Sequence, residues 1–264
     1  MKKINEFDLV VIGGGSGGVR AARIAAFHGA KVALCEKDRM GGTCVIRGCI
    51  PKKILFYSAQ YQNLLENSSA YGWSIKNTKK NFSKLITNKN QELKRLESIY
   101  DKNARKAGVK IFYEEASLEK KNIIKLKDIK LLAKKVIIAT GGTPKKLPIL
   151  GSEYCLNSDQ IMELKKIPNK LTIIGSGYIA VEFAFIFSAL GSKVNLICRK
   201  DILRGFDIDL INLVKETLKF KGINLYLNEE VNKITLKGNL KKLLLKNRKK
   251  ILLSDEVLVA IGRV

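Results

Sequence analysis

Twice in this chain an apolar run ends in a cluster of small residues and passes at once into an apolar helical pattern, and few folds accommodate that arrangement. The first instance is Phe7-Asp8-Leu9-Val10-Val11-Ile12, then Gly13-Gly14-Gly15-Ser16-Gly17-Gly18, then Val19 to Phe27, closed by Gly29. The second is Leu171-Thr172-Ile173-Ile174, then Gly175-Ser176-Gly177-Tyr178-Ile179-Ala180, then Val181 to Leu190, closed by Gly191. A short apolar run bounded by glycines reads as a buried strand, and the periodic run after it as a helix. Strand, glycine turn and helix in that order open a βαβ unit, so the repeat predicts an α/β chain with parallel sheets.

The turns carry chemistry as well as shape. Gly13 permits the tight turn, Gly15 lets backbone approach a pyrophosphate, Gly18 lets the helix pack close to its strand, and the helix N-terminus receives negative charge. The next strand, Lys31-Val32-Ala33-Leu34-Cys35, ends at Glu36, the acid expected to hold a ribose hydroxyl. After the second turn, Lys193-Val194-Asn195-Leu196-Ile197 ends instead in Cys198-Arg199-Lys200, with Arg204 shortly after. Cations at the ribose end favour a 2′-phosphate, so this site is expected to take NADP(H) and not NAD(H). Two dinucleotide-binding, Rossmann-like domains follow, and Pro144, Pro148 and Gly151 place their boundary near residue 149, giving domains 1–149 and 150–264.

Between the turns lies Gly41-Gly42-Thr43-Cys44-Val45-Ile46-Arg47-Gly48-Cys49-Ile50-Pro51-Lys52-Lys53, with two cysteines five positions apart. They can bridge only if the chain folds back, and Gly48 supplies a joint for that. Pro51 is expected as the first residue of a helix running through Leu55, Ser58, Tyr61 and Leu65, which would put Cys49 near the positive end of a helix dipole with Lys52 close by. Both effects favour a thiolate. Half of a zinc site is the alternative, but no second Cys or His cluster completes one, so a redox-active dithiol is expected. Cys35, Cys155 and Cys198 have no near partner in sequence, and His28, the one histidine, ends the first helical run; structural roles are expected for all four.

From Ser83 to Lys106 a helical pattern sets Leu85, Ile86, Leu93, Leu96, Ile99 and Tyr100 on one face. Strands are expected at 109–113, 123–126, 135–139, 223–227, 231–236, 240–245 and 256–261, with a helix over Asp207 to Lys221. The 264 residues, 46% of them hydrophobic, suffice for two cores. No apolar run reaches the ~18 residues of a membrane span, and the Leu9–Ile12 run is too short for a signal-peptide core. A soluble, cytoplasmic protein without a membrane partner is expected, and five cysteines with one close pair suit a reducing compartment. The formal charge of +25 comes from dispersed lysines without stacking aromatics or a nucleic-acid motif, so no nucleic-acid partner is expected.

The cysteine segment, from Gly41 through Cys44 and Cys49 to Pro51-Lys52-Lys53, resembles the redox-active segment of the glutathione reductases, within the flavoprotein disulfide reductases. Dihydrolipoamide and mercuric reductases usually carry Ser where Lys52 stands; large thioredoxin reductases share the lysines and stay open as an alternative. The resemblance implies NADPH-dependent reduction of glutathione disulfide through FAD and a Cys44–Cys49 disulfide. Cys49 would face the flavin and Cys44 would attack the substrate, while Lys52 and Glu182 would pair beside the flavin ring and Tyr178 would shield it. FAD would contact Gly13, Gly15, Ser16, Gly17, Gly18, Glu36, Gly42, Thr43, Cys44, Lys52, Ala116, Thr140 and Gly141. NADPH would contact Gly175, Ser176, Gly177, Ile179, Glu182, Arg199, Lys200, Arg204 and Gly262, and Arg23 and Tyr100 would hold the glutathione disulfide. No metal is implied.

Family members continue past the counterpart of Gly262 to complete the FAD domain and to add an interface domain that makes a homodimer. The resemblance therefore implies a truncated form with an incomplete FAD domain, an absent dimerisation domain and impaired turnover, in which the strands of Ile12 and Ile138 belong to a sheet with an unfilled position and an exposed edge. A non-catalytic nucleotide-binding remnant is the alternative from another class.

Overall fold

The computed structural model describes residues 5–264. Contacts divide the chain into two units, the first comprising residues up to Pro51 with Asn88–Gly142, the second Lys52–Thr87 with Thr143–Val264. Pro144 and Pro148 thus lie inside the second unit, which also takes an insertion from the first half of the sequence.

The first unit opens with β1 (Asn5–Ile12), α1 (Ser16–Phe27) and β2 (Val32–Cys35). Two helices follow in the chain, α2 (Cys49–Asn67) and α3 (Phe82–Lys106), and then β3 (Lys110–Phe112), β4 (Ser117–Lys120), β5 (Ile123–Lys125) and β6 (Lys130–Ile138). The sheet runs β3-β2-β1-β6-β5-β4, parallel from β3 to β6 and antiparallel beyond. In β1, Leu9 and Val11 pack in one cluster with Val19, Ala22 and Leu34, while Val10 and Ile12 pack in another with Ala33 and Ile124. Burial on both faces is what a strand between parallel neighbours requires, and it explains an unbroken apolar run where a half-exposed strand would alternate.

Ile12 and Ile138 are register partners, β6 lying directly against β1. The outer edge of β6 is another matter: β5 pairs with it only as far as Leu132, and Ile137 and Ile138 are 39% and 68% exposed.

The second unit repeats the pattern with β7 (Lys170–Ile174), α4 (Tyr178–Ala189), β8 (Lys193–Cys198), α5 (Ile208–Phe220) and β9 (Asn224–Leu227). An antiparallel meander of β10 (Val231–Lys237), β11 (Leu240–Leu245) and β12 (Ile251–Ser254) precedes β13 (Glu256–Val259), which returns to the parallel sheet in the order β13-β7-β8-β9. Helix α4 is apolar nearly all round because it is buried: Phe183, Ala184, Ile186 and Phe187 pack with Leu171, Ile173, Leu196, and with Leu55 and Ala59 of α2. Asp207 caps α5 by accepting from the backbone N–H groups of Asp209 at 2.9 Å and Leu210 at 3.4 Å.

Both turn helices start three residues earlier than their apolar pattern, at Ser16 and Tyr178, because the last residues of each turn already form the first helical turn. Helix α2 likewise starts at Cys49 and not at Pro51, which occupies the first turn where its missing N–H leaves no bond unmade. Strands β4 and β12 are not foreseen from the sequence. The first is exposed at all four positions, and the second is separated from β13 only by Asp255, so neither shows a bounded alternating run.

Candidate functional site

In the first unit the glycine turn forms a cradle with no room for side chains. A Cβ on Gly13 would lie 2.3 Å from the Ala139 oxygen at the end of β6, and one on Gly18 would lie 1.8 Å from the Gly13 oxygen. The Glu36 carboxylate closes the turn, accepting from the Gly14 N–H at 2.6 Å and the Asp38 N–H at 2.8 Å. Each carboxylate oxygen keeps a lone pair for a ribose hydroxyl. Helix α1 begins at an uncapped Gly15 with no acidic residue in its first turn, which leaves the positive end of its dipole to an anion. Thr140 and Gly141 follow β6 beside this turn, whereas Ala116 packs lower, against the cluster of Val10 and Ile124.

The cysteine loop is stitched to that cradle. Gly41 N–H donates to the Gly14 oxygen at 2.8 Å, Gly41 bridges Gly15, and a Cβ on Gly42 would meet the Gly15 Cα at 2.6 Å. Arg39, just ahead of the loop, directs Nε and Nη2 at one oxygen of Glu97, at 3.0 and 2.6 Å. Thr43–Arg47 then winds as a π-helical turn, a rare geometry that often marks functional sites. Gly48 lets the chain pass close to itself, for a Cβ there would stand 2.8 Å from the Thr43 oxygen. The result sets the Cys44 and Cys49 thiols beside one another, both as free thiols, Cys44 half-buried and Cys49 exposed. Burial and the Cys49 thiol hold Cys44 above the ordinary thiol range, while a hydrogen bond from the Ser16 hydroxyl pulls the other way. Burial pushes Cys35 and Cys198 up to about 12 and Cys155 to about 11, which suits inert structural thiols.

Ser16 also lines a cleft of about 700 Å³ between α1 and α3, walled by Val19, Arg20, Arg23, Ile24, Phe27, His28, Tyr100, Asn103 and Ala107. The two residues expected to hold substrate, Arg23 and Tyr100, therefore share a cavity that reaches Cys44 through Ser16. His28 belongs to this wall, its ring edge-on to Phe27 at 5.4 Å, where the sequence assigned it only a structural place. Arg20 and Asn103 were not singled out, although the spacing of Arg20 from Arg23 on one helix was a usable signal.

In the second unit a cleft of about 740 Å³ collects Gly175, Ser176, Gly177, Tyr178, Arg199, Lys200, Arg204 and Gly262. Helix α4 starts there from an uncapped Gly177 with no acidic residue in its first turn, and Tyr178 is 59% exposed. Ile179 and Glu182 are not among its lining residues. Glu182 instead pairs with Lys52, Nζ to Oε1 at 2.6 Å, and its Oε2 is buried without a hydrogen-bond partner. That orphaned oxygen is the kind of group a bound polar ring or water would satisfy. Glu229, Glu230 and Lys246 complete the cleft and were not anticipated. Among the described residues no cluster of His, Cys, Asp and Glu could hold a metal ion, and no helix is long and apolar enough to cross a membrane.

A repeated strand, glycine turn and helix with a thiol pair heading a helix is the architecture of a two-dinucleotide, dithiol class of protein. The chain belongs to the pyridine nucleotide-disulphide oxidoreductase family, whose pattern matches residues 7–264. It is 44% identical to a glutathione reductase of Burkholderia cepacia, in an alignment covering 86% of this chain and 51% of the relative. A glutathione reductase of Nostoc sp. is 40% identical over 98% of this chain and 57% of its own length, and a trypanothione reductase of Trypanosoma congolense 35% identical over 98% and 58%. The chain thus spans about half the length of the curated relatives it matches.

Proposed function

We propose that this chain carries the nucleotide-binding and dithiol part of an NADPH-dependent flavoprotein that reduces glutathione disulfide. The contact between the paired thiols and Ser16, at the mouth of a basic cleft, is the observation that carries the reading. Cys44 as thiolate attacks one sulfur of the substrate disulfide, forming a mixed disulfide and expelling one thiolate, which takes up a proton. Cys49 then attacks Cys44, closing the Cys44–Cys49 disulfide and releasing the second thiol. Two electrons leave the dithiol in each cycle, and bound FAD would supply them from NADPH.

This chain's residues fit both cofactors. The Gly13–Gly18 turn and α1 N-terminus would take the FAD pyrophosphate, Glu36 its ribose, and Gly42, Thr43, Thr140 and Gly141 its approach to the loop. The Lys52 cation, held by Glu182, would stabilise negative charge on a reduced ring. Arg199, Lys200 and Arg204 would grip the 2′-phosphate of NADPH, with Tyr178 at the entrance for its nicotinamide. Arg23 would hold a carboxylate of glutathione disulfide and Tyr100 its backbone. For the whole protein, the homodimer that the resemblance assigns to an interface domain outside the matched residues, and a cytoplasmic setting that keeps the structural cysteines reduced, complete the proposal.

The test is nucleotide discrimination by the whole chain. NADPH should bind more tightly than NADH, and Arg199→Ala should weaken NADPH by about tenfold or more while leaving NADH nearly unchanged. Equal affinities, or NADPH binding indifferent to Arg199, would remove the NADPH assignment.

A further inference from the structure

The cleft of the second unit has two carboxylates in its wall, Glu229 and Glu230, together with the cations Arg199, Lys200 and Arg204. By charge alone both acids would weaken the hold on a phosphate. Glu230 is offset by Lys246, Nζ to Oε2 at 3.2 Å. Glu229 differs, because its side chain is fully buried and its lone pairs are taken up inside the protein. One oxygen accepts from the N–H groups of Glu230 at 2.9 Å and Asn247 at 2.8 Å, and the other from the Arg248 N–H at 3.0 Å.

Those bonds fix the turn after β9 where it serves the cleft. The chain bends at Asn228, left-handed at φ 53°, and the Asn228 oxygen accepts from Asn247 Nδ2 at 2.7 Å. Immediately after the bend the Glu229 N–H donates to the Cys198 oxygen at 3.0 Å. Cys198 precedes Arg199, and because a peptide unit is planar, a carbonyl held there also fixes the direction in which the chain enters Arg199. The Glu229 carboxylate therefore places one wall of the cleft, and the Glu229 N–H joins that wall to the one that bears Arg199.

We propose that Glu229 is a positioning residue of this cleft, which acts through the Cys198–Arg199 peptide to hold Arg199 at a nucleotide 2′-phosphate without touching the phosphate itself. The proposal rests on the reading above that the cleft takes NADPH. It also carries a sign that electrostatics alone would reverse. Removing a negative charge beside a phosphate site should tighten binding, whereas releasing Arg199 should loosen it.

The ligands 2′,5′-ADP and 5′-AMP differ by the 2′-phosphate alone, and calorimetric titration of the whole chain with each gives the ratio of their affinities. A partly unfolded variant weakens both ligands alike, so the ratio does not respond to a purely structural loss. The unaltered chain should prefer 2′,5′-ADP by about tenfold or more. Glu229→Gln should lose most of that preference. Glu229→Asp, which keeps the charge one methylene short, should retain more of it, and carries the same comparison if the glutamine variant fails to fold. In the Arg199→Ala background neither change at Glu229 should alter the ratio further, because the group being positioned is gone. A preference in the Glu229 variants equal to or above that of the unaltered chain, or a further fall in the Arg199→Ala background, would overturn the proposal while the NADPH reading stands. If the unaltered chain does not distinguish the two ligands, the NADPH reading fails and the proposal with it.

Discussion

Cys44 and Cys49 touch one another but are chemically unequal. Cys49 is exposed at the first position of α2, whereas Cys44 is half-buried and held above the ordinary thiol range by that burial and by its neighbour. Iodoacetamide applied to the reduced chain at neutral pH should therefore label Cys49 first. Labelling of Cys44 should accelerate as pH rises and go on rising beyond the range where an ordinary thiol has levelled off, while Cys35 and Cys198, buried and pushed up to about 12, stay unmodified until the chain unfolds. Mass spectrometry of timed digests reads all four sites, and after mild oxidation both reactive positions should disappear together. Equal rates at Cys44 and Cys49, or early labelling of Cys35, would contradict the geometry. The spacing of the pair and the small residues before it were legible in the sequence, because a close Cys pair ahead of a helix has few uses. The burial that raises Cys44 was not, since it is set by contacts distant in sequence.

At the scale of elements, the apolar runs of β1, β7 and α4 announced themselves because burial of most of their residues leaves few polar interruptions. The meander of β10 to β12 is anchored by something the sequence concealed. Glu229, in Leu227-Asn228-Glu229-Glu230, reads as an ordinary surface turn, yet its side chain is fully buried. It accepts from the N–H groups of Glu230 at 2.9 Å, Asn247 at 2.8 Å and Arg248 at 3.0 Å, tying the turn after β9 to the turn after β11. Its own N–H donates to the Cys198 oxygen at 3.0 Å, immediately ahead of Arg199 in the second cleft. Burial pushes this carboxyl up, but the three N–H groups and the Arg248 charge outweigh it and hold it below the ordinary value of 4.5. A group depressed in the folded state contributes stability that is complete above the unfolded value and is lost as pH falls through the folded one. Glu229→Gln, which puts an NH₂ where an N–H must be accepted, should cost about 1–3 kcal/mol at pH 7 in urea unfolding. That cost should shrink as pH is lowered below 4.5, since the protonated parent loses the same interaction. A cost independent of pH would mean that the charge of Glu229 does not hold the turns.

For the molecule as a whole, 49 lysines and arginines face 24 acidic residues, and most acidic side chains are already committed. Ion pairs absorb Lys37, Lys130, Lys134, Lys215, Lys241 and Lys246, mostly at the exposed surface, where a pair contributes little. What remains is a surplus of +25, whose mutual repulsion opposes the compact state. Raising sodium chloride from about 10 mM to about 150 mM shortens the Debye length from about 30 Å to about 8 Å and should raise the Tm of this chain. Screening acts on every charge alike, so chloride and sulfate matched for ionic strength should then give the same gain. The clefts argue otherwise. Arg20 with Arg23, and Arg199 with Lys200 and Arg204, are two places where cations cluster in a cavity, and a divalent oxyanion placed there meets several donors at once. Sulfate should accordingly stabilise beyond chloride at equal ionic strength. Sulfate is also excluded from protein surfaces in general, so the comparison has to be made with variants. Arg20→Ala/Arg23→Ala and Arg199→Ala/Arg204→Ala should each remove part of the sulfate excess while leaving the chloride response unchanged. A sulfate excess untouched by either pair would assign the effect to the surface as a whole and deny the clefts their selective hold on anions.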